Sequence, residues 1–317
     1  VDVEGNRIFL AGNGSGKSEV VAKVLQDYAQ KMICTEKMVI EIDEKAGFCG
    51  GVRRAISLVE KSLKKGEEIY ARGELLHNRQ EMDRLCRMGL RVSDLLEDVK
   101  GKRLFIRTHG ESKAVLADAE QLGVEIVDAT CPKVKISQDI IDRAYQAGFQ
   151  IVIVGKKRHP EVTALMGFCQ NQGIVVYHPR DLMKIDTEKK TILIAQTTVP
   201  PEIFRRIRET MVSLVPDLVL YDTMCSFVID RQRELLEFAQ RYDVVIFVGG
   251  KHSSNSRMLF QVCRSINPRS HFVESGDELD MRWFDEAEIG RVGITGSAST
   301  PLWQIKDIKN SLTTLLS

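Results

Sequence analysis

The chain has 317 residues, enough for about two domains and a sizeable core. It is 43% hydrophobic and 28% charged with a net charge of +1, so no global field gathers nucleic acid or an anionic membrane, and any anionic ligand must be held locally. No apolar run approaches a membrane span and no basic-then-apolar leader opens the chain, which makes the cytoplasm the expected location.

In chain order, the first pattern is "IFLAGNGSGKSEVV" at Ile8–Val21, an apolar run, a Gly-rich loop and a helical run. Ala11–Ser18 fits a relaxed phosphate loop, with Ala where the strict form has Gly. Nucleotide binding also needs a Walker-B acid on a neighbouring strand and a sheet to carry both. Residues 19–38 leave no room for them, so residues 1–38 are set apart as an N-terminal extension without an assigned role.

From residue 39 a unit recurs three times. "VIEIDEKAGFC" ends at Cys49, "VEIVDATC" at Cys131 and "LVLYDTMC" at Cys225: a β-rich run, an Asp, a few residues, then Cys. A helical pattern follows each, with Val52, Ile56, Val59 and Leu63 on one face, then Ile136, Ile140 and Ala144, then Leu235, Leu236 and Ala239. Pro132 suits a first helical position, so each Cys is expected at a strand-to-helix turn. Strands "EEIYARG", "FQIVIVGKK" and "DVVIFVGGK" come next, and then His77, His159 and His252, which lie 28, 28 and 27 residues after their cysteines. Each unit closes on a strand with a polar end: "RLFIRTHG" (His109), "TILIAQTT" (Thr197, Thr198) and "RVGITGSAS" (Ser297, Ser299). The reading is α/β, with three similar lobes at 39–130, 131–224 and 225–317 in pseudo-threefold arrangement, their strand ends forming the ligand edge.

Seven cysteines include no CxxC pair, so neither a zinc ribbon nor a thioredoxin-type site is indicated, and a reducing cytosol disfavours disulfides. Three turn cysteines brought to one axis would repel as thiolates unless a metal centre compensates them, with help from helix N-termini. Zinc usually draws on local cysteine pairs, whereas an iron–sulfur cluster accepts distant thiolates.

The stretches "IDEKAGFCGGVRRAI", "ELLHNRQEMDRL", "RTHGES", "VDATCPKV", "HPEVTALMG", "AQTT", "DTMCSFVIDRQ", "GGKHSSN" and "GITGSASTP" stand in the order of one family. In them the chain from about Val39 onward resembles the 4-hydroxy-3-methylbut-2-enyl diphosphate reductases of the non-mevalonate isoprenoid route. The resemblance implies a four-iron four-sulfur cluster on Cys49, Cys131 and Cys225 with one open iron for the substrate hydroxyl. It implies reductive loss of that hydroxyl as water, giving isopentenyl and dimethylallyl diphosphates. It implies Glu161 as the proton-delivering acid and Thr197 as its support. It also implies substrate contacts at His77, His109, His159, Gln196, Thr197, Ser253, Ser254, Asn255 and Ser299, and reduced ferredoxin or flavodoxin as electron donor. Protonated imidazoles are expected to add charge for the diphosphate.

Three positions depart from the family's usual pattern. Gly50 stands for an aromatic, Val228 for a Thr, and His252 for an Asn. Cys34, Cys86, Cys169 and Cys263 match no ligand position, and Cys86 and Cys263 read as helix-face thiols. Arg53-Arg54 and "KSLKKG" read as solvated helix charge, available to an acidic electron carrier. Two other readings compete. One is a three-cysteine, three-lobed enzyme of other chemistry, such as quinolinate synthase or the radical enzyme of diphthamide formation, against which "HPEV", "AQTT" and "GGKHSSN" discriminate. The other is a phosphate-loop nucleotide-binding protein.

Overall fold

The computed structural model describes residues 38–285 and 289–316, preceded by a short antiparallel pair, β1 (Asp2–Val3) and β2 (Asn6–Arg7). The phosphate-loop-like stretch Ala11–Ser18 and Cys34 lie outside the described residues. The rest is α/β, built on three parallel four-stranded sheets.

The first sheet holds β4 (Ile69–Ala71), β5 (Arg91–Val92), β6 (Arg103–Ile106) and β7 (Glu125–Asp128) in the order β5-β4-β6-β7. The second holds β8 (Gln150–Val154), β9 (Ile174–Val176), β10 (Thr191–Ala195) and β11 (Leu218–Tyr221) in the order β9-β8-β10-β11. The third holds β12 (Val244–Val248), β13 (Ser270–Val273) and β14 (Arg291–Gly296), and is completed by β3 (Val39–Ile42) in the order β13-β12-β14-β3. All three orders are the same. Residues 39–42, expected at the head of the first lobe, are instead the edge of the third sheet, with Val39 opposite Arg291 and Ile42 opposite Ile294. The strand leading to each cysteine thus belongs to the sheet before it, cyclically, and each cysteine marks the crossing from one lobe to the next.

Parallel sheets are covered on both faces, which is why their strands read as continuous apolar runs. Ile151 and Ile153 pack against Ile141 of α4 (Pro132–Gln146) and Leu165 of α5 (Pro160–Gly167). Val152 and Val154 face Phe204, Ile207 and Met211 of α6 (Pro201–Leu214) on the other side. The first lobe repeats this with α1 (Gly50–Lys64) and α2 (Arg79–Arg87) on one face and α3 (Lys113–Gln121) on the other. The third repeats it with α7 (Ser226–Ala239) and α8 (Ser254–Ile266) against α9 (Leu302–Leu316).

Helix α4 turns differently from its apolar spacing. Ile136 is 55% exposed, and the buried side carries Val134, Ser137, Gln138 and Ile141. The polar pair is buried because Gln138 packs against the Gly110 turn of the first lobe. In the third lobe, buried Arg231 of α7 pairs with Asp43 at the end of β3, and Thr295 bonds both side chains at 2.7 Å. That triad pins the borrowed strand.

Candidate functional site

In a sheet of this order, the first and third strands flank the point where the winding reverses, and ligands bind beyond their carboxyl ends. The three switch points face one cavity. His77, His159 and Ser253 follow the first strands, while His109, Thr197 and Ser299 follow the third.

The cysteines enter by one repeated construction. Asp43, Asp128 and Asp222 each accept the N–H two residues on, at 3.0, 2.9 and 3.2 Å, which breaks the strand into a turn. The N–H groups of Cys49, Cys131 and Cys225 then donate to the carbonyls of Ala298, Thr108 and Thr197, each two residues beyond the end of a third strand. Each cysteine is the N-cap of its helix, α1, α4 or α7. The second and third residues after each cysteine, Gly51 and Val52, Lys133 and Val134, Phe227 and Val228, wall the cavity.

A side chain at Gly51 would place its Cβ 3.0 Å from Cys131 Sγ and 3.9 Å from Cys49 Sγ, so this glycine keeps the space between two thiols clear. Burial pushes the Cys49 thiol up, the Val52 N–H opposes this, and the Cys131 and Cys225 thiols add a smaller push upward. A metal centre supplies the positive charge that thiolates here lack. Among the described residues, no three His, Cys, Asp or Glu side chains are close enough to share one ion. Three cysteines from distant segments on one cavity fit an iron–sulfur centre, which accepts widely separated thiolates.

Glu161 lies in the first turn of α5 and is 1% exposed. His159 caps that helix, its Nδ1 accepting the Glu161 N–H at 3.2 Å. The Glu161 carboxylate accepts the Thr197 N–H and hydroxyl, both at 2.7 Å. Burial nonetheless pushes its pKa up to about 7, against the pull of those two bonds. A carboxyl titrating near neutrality can both hold and give a proton at working pH.

The imidazoles of His77, His109 and His159 form a row, with centroids 5.7 and 5.4 Å apart. Burial, then its neighbours His159, Arg107 and His77, hold His109 far below the usual imidazole range. Burial, then His77, Lys156 and Arg107, take His159 to about 4. The expectation of charged imidazoles is therefore corrected for these two: in the free protein they are neutral donors, because the cavity that gathers them also desolvates them. Among the described residues, His109 Nδ1 and Asn255 Oδ1 are buried without a hydrogen-bond partner. Ser253, Ser254 and Asn255 stand at the N-terminus of α8 and line the same cavity, and a helix start holds anions through its free backbone N–H groups.

Two expected positions fall elsewhere. Gln196 does not line the cavity; its side chain accepts the Lys156 N–H at 3.0 Å and donates to Thr198 at 2.8 Å, bracing the loop from behind. His252 is exposed and outside the cavity, because the turn after β12 delivers Ser253 as the cap of α8 instead. Sequence reading also passed over Ser256, buried behind Ser253; its only signal was the spacing Ser253-x-x-Ser256 at a helix start.

A family profile described as LytB protein matches residues 40–313. The chain belongs to the LytB family. A relative from Chloroherpeton thalassium named 4-hydroxy-3-methylbut-2-enyl diphosphate reductase is 35% identical over 299 residues, spanning 86% of this chain and 95% of its own. One of the same name from Campylobacter hominis is 36% identical over 280 residues, spanning 88% and 100%. A solved structure of (E)-4-hydroxy-3-methyl-but-2-enyl diphosphate reductase, described as the terminal enzyme of the non-mevalonate pathway, superposes with a TM-score of 0.71 at 34% identity, covering 87% of this chain and 99% of that one. The Plasmodium falciparum E-1-hydroxy-2-methyl-but-2-enyl-4-diphosphate reductase superposes at 0.78 with 25% identity, covering 87% and 88%. The LytB match begins at β3, so it takes in the strand that closes the third sheet and leaves residues 1–39 outside.

Proposed function

We propose that this LytB-family chain reduces 4-hydroxy-3-methylbut-2-enyl diphosphate to isopentenyl and dimethylallyl diphosphates, on a four-iron four-sulfur cluster held by Cys49, Cys131 and Cys225. The observation that carries this reading is one cavity walled by three N-capping cysteines, with a buried acid titrating near neutrality and a row of three imidazoles around it. When bound, the cluster supplies electrons and Lewis acidity.

The remaining work falls to the side chains. Overall a C–O bond is exchanged for a C–H bond, formed at the same carbon for dimethylallyl diphosphate or at the far end of the allylic system with a shift of the double bond for isopentenyl diphosphate, taking up two electrons and two protons and releasing water. Hydroxide leaves poorly, and protonated Glu161 gives its proton to that oxygen. Thr197 holds the carboxyl in line through its N–H and hydroxyl. The diphosphate lies at the other end, against His77, His109, His159, Ser253, Ser254, Asn255 and Ser299. Backbone N–H groups at the start of α8, hydroxyls and imidazole N–H groups take its oxygens. The apolar walls at Val52, Val134 and Val228 exclude water from the reacting carbon. Gln196 acts from behind the loop, through Lys156 and Thr198. Electrons come from a small reduced carrier of the ferredoxin or flavodoxin type, in the cytoplasm; among the described residues no helix is long and apolar enough to cross a membrane.

The test is anaerobic purification followed by iron and sulfide analysis. The protein is expected to be brown, with about four of each per chain. Cys131→Ser is expected to lose most of both while its circular dichroism remains parental, because the sheet cores lie outside the thiol cavity. A colourless protein carrying one zinc per chain would overturn the proposal.

A further inference from the structure

We infer that Ser256 and Ser297, two buried hydroxyls outside the cavity lining, are positioning residues that fix the Ser299 hydroxyl as a hydrogen-bond donor into the cavity. The inference comes from counting donors and acceptors, and it rests on the reading that Ser299 meets an anionic oxygen.

A serine hydroxyl has one hydrogen and two acceptor lone pairs. Ser297 Oγ accepts the Ser256 hydroxyl at 2.8 Å and the Ser299 N–H at 3.4 Å, which fills both lone pairs. The Ser299 hydroxyl therefore has no acceptor left on Ser297. Thr300 offers no escape route for the array. Its own hydrogen goes to the Val248 carbonyl at 2.9 Å, and its Oγ1 accepts the Ser297 N–H at 3.2 Å. The Ser297 hydrogen stands between two oxygens, Ser299 Oγ and Thr300 Oγ1, each 3.1 Å away. In either setting the Ser299 hydrogen faces outward, and Ser299 lines the cavity. Turning the Ser297 hydrogen onto Ser299 makes Ser299 a stronger donor, since hydrogen bonds in a chain polarise one another.

Ser256 sets a second donor in the same way. Its backbone N–H occupies Ser253 Oγ at 3.2 Å, leaving the Ser253 hydrogen for the cavity. Ser256 and Ser297 are 0% and 1% exposed, so water does not compete with this order. Such an array suits an acceptor-only ligand end, the chemistry of a diphosphate, and opposes a ligand that must itself donate.

The experiment measures inorganic diphosphate binding to cluster-loaded protein by calorimetry, alongside steady-state kinetics. Ser256→Ala empties one lone pair of Ser297, so the Ser299 hydroxyl can turn inward. The expected result is about tenfold weaker diphosphate binding and a KM raised by a similar factor, with kcat within twofold and iron content unchanged. Ser256→Cys, of like size with a weak donor, is expected to fall between Ala and the parent, and it keeps the test open if the alanine variant folds poorly. Diphosphate affinity within twofold of the parent in Ser256→Ala overturns the array. So does a loss of kcat and iron in step with KM, which marks a structural role only. A parent that does not bind inorganic diphosphate brings down the reading of the cavity itself, a result distinct from either.

Discussion

Glu161→Gln separates proton delivery from everything else the cavity does. The amide has the size of the acid and no charge. It accepts the Thr197 N–H as the carboxyl does, and offers N–H to the Thr197 hydroxyl. Burial raises the parental pKa from 4.5 to about 7. That difference amounts to about 3 kcal/mol against the ionised form, an order-of-magnitude figure for a wholly buried group. The sign follows from linkage. The folded state holds its proton more tightly than the unfolded chain, so the stabilisation is complete below pH 4.5 and is lost as pH rises through 7. If Glu161 gives the proton, kcat/KM follows the same titration, because it reports the free enzyme. At pH 6 about nine-tenths of the carboxyl is protonated and at pH 8 about one-tenth, so kcat/KM should fall roughly tenfold between them. In Glu161→Gln, kcat is expected to drop by about a hundredfold to ten-thousandfold and kcat/KM to show no basic limb near 7, with cluster content and substrate affinity retained. The assay is anaerobic turnover with a chemical one-electron reductant, read from pH 5.5 to 8.5 over a range of substrate concentrations. A parental kcat/KM that stays flat across this range, or a variant kcat within threefold of the parent, would refute the assignment.

Other outcomes test neighbouring links. Thr197→Val removes the hydroxyl bond to Glu161 and keeps the backbone one; since both bonds lower that pKa, the basic limb is expected to move upward, and a downward move contradicts the geometry. Gly250→Ala would put a Cβ 2.1 Å from the His77 carbonyl, so the first and third lobes must part there. A loss of about 1–3 kcal/mol on urea unfolding and a raised KM are expected, and unchanged values would show that the lobes do not close as described. Arg231→Met leaves Asp43 buried without its cation and is expected to cost about 3–5 kcal/mol on unfolding; a loss under about 1 kcal/mol speaks against the triad as the pin of β3.

Much of this was legible because local chemistry repeats. A β-rich run, an Asp and a Cys before helical spacing write the Asx turn and the N-cap into a few residues, and all three cysteines stand there. The pairing of β3 with β14 was not legible. Parallel neighbours are joined by hydrogen bonds between distant segments, and Val39–Ile42 carries nothing that names its partner. The histidine offset misled at His252, because an offset counts residues and cannot say which side of a turn a side chain leaves by. Gln196 failed for a related reason: one residue from Thr197, it faces the other side of the same loop. The neutrality of His109 and His159 escaped because desolvation belongs to the assembled cavity and to no single segment.

The borrowed strand has a consequence for how the protein is made. Val39–Ile42 leaves the ribosome some 250 residues before its partner Arg291–Gly296. At about 5–20 residues per second, β3 waits roughly 10–50 s with its backbone groups unpaired. During that time the first and second sheets can complete, while the third lacks its edge. An open strand invites pairing with another chain, so nascent protein is at risk of association until β14 emerges. Shortening that wait, by a permuted gene that places β3 after α9, should raise the yield of folded protein and leave the native contacts as they are.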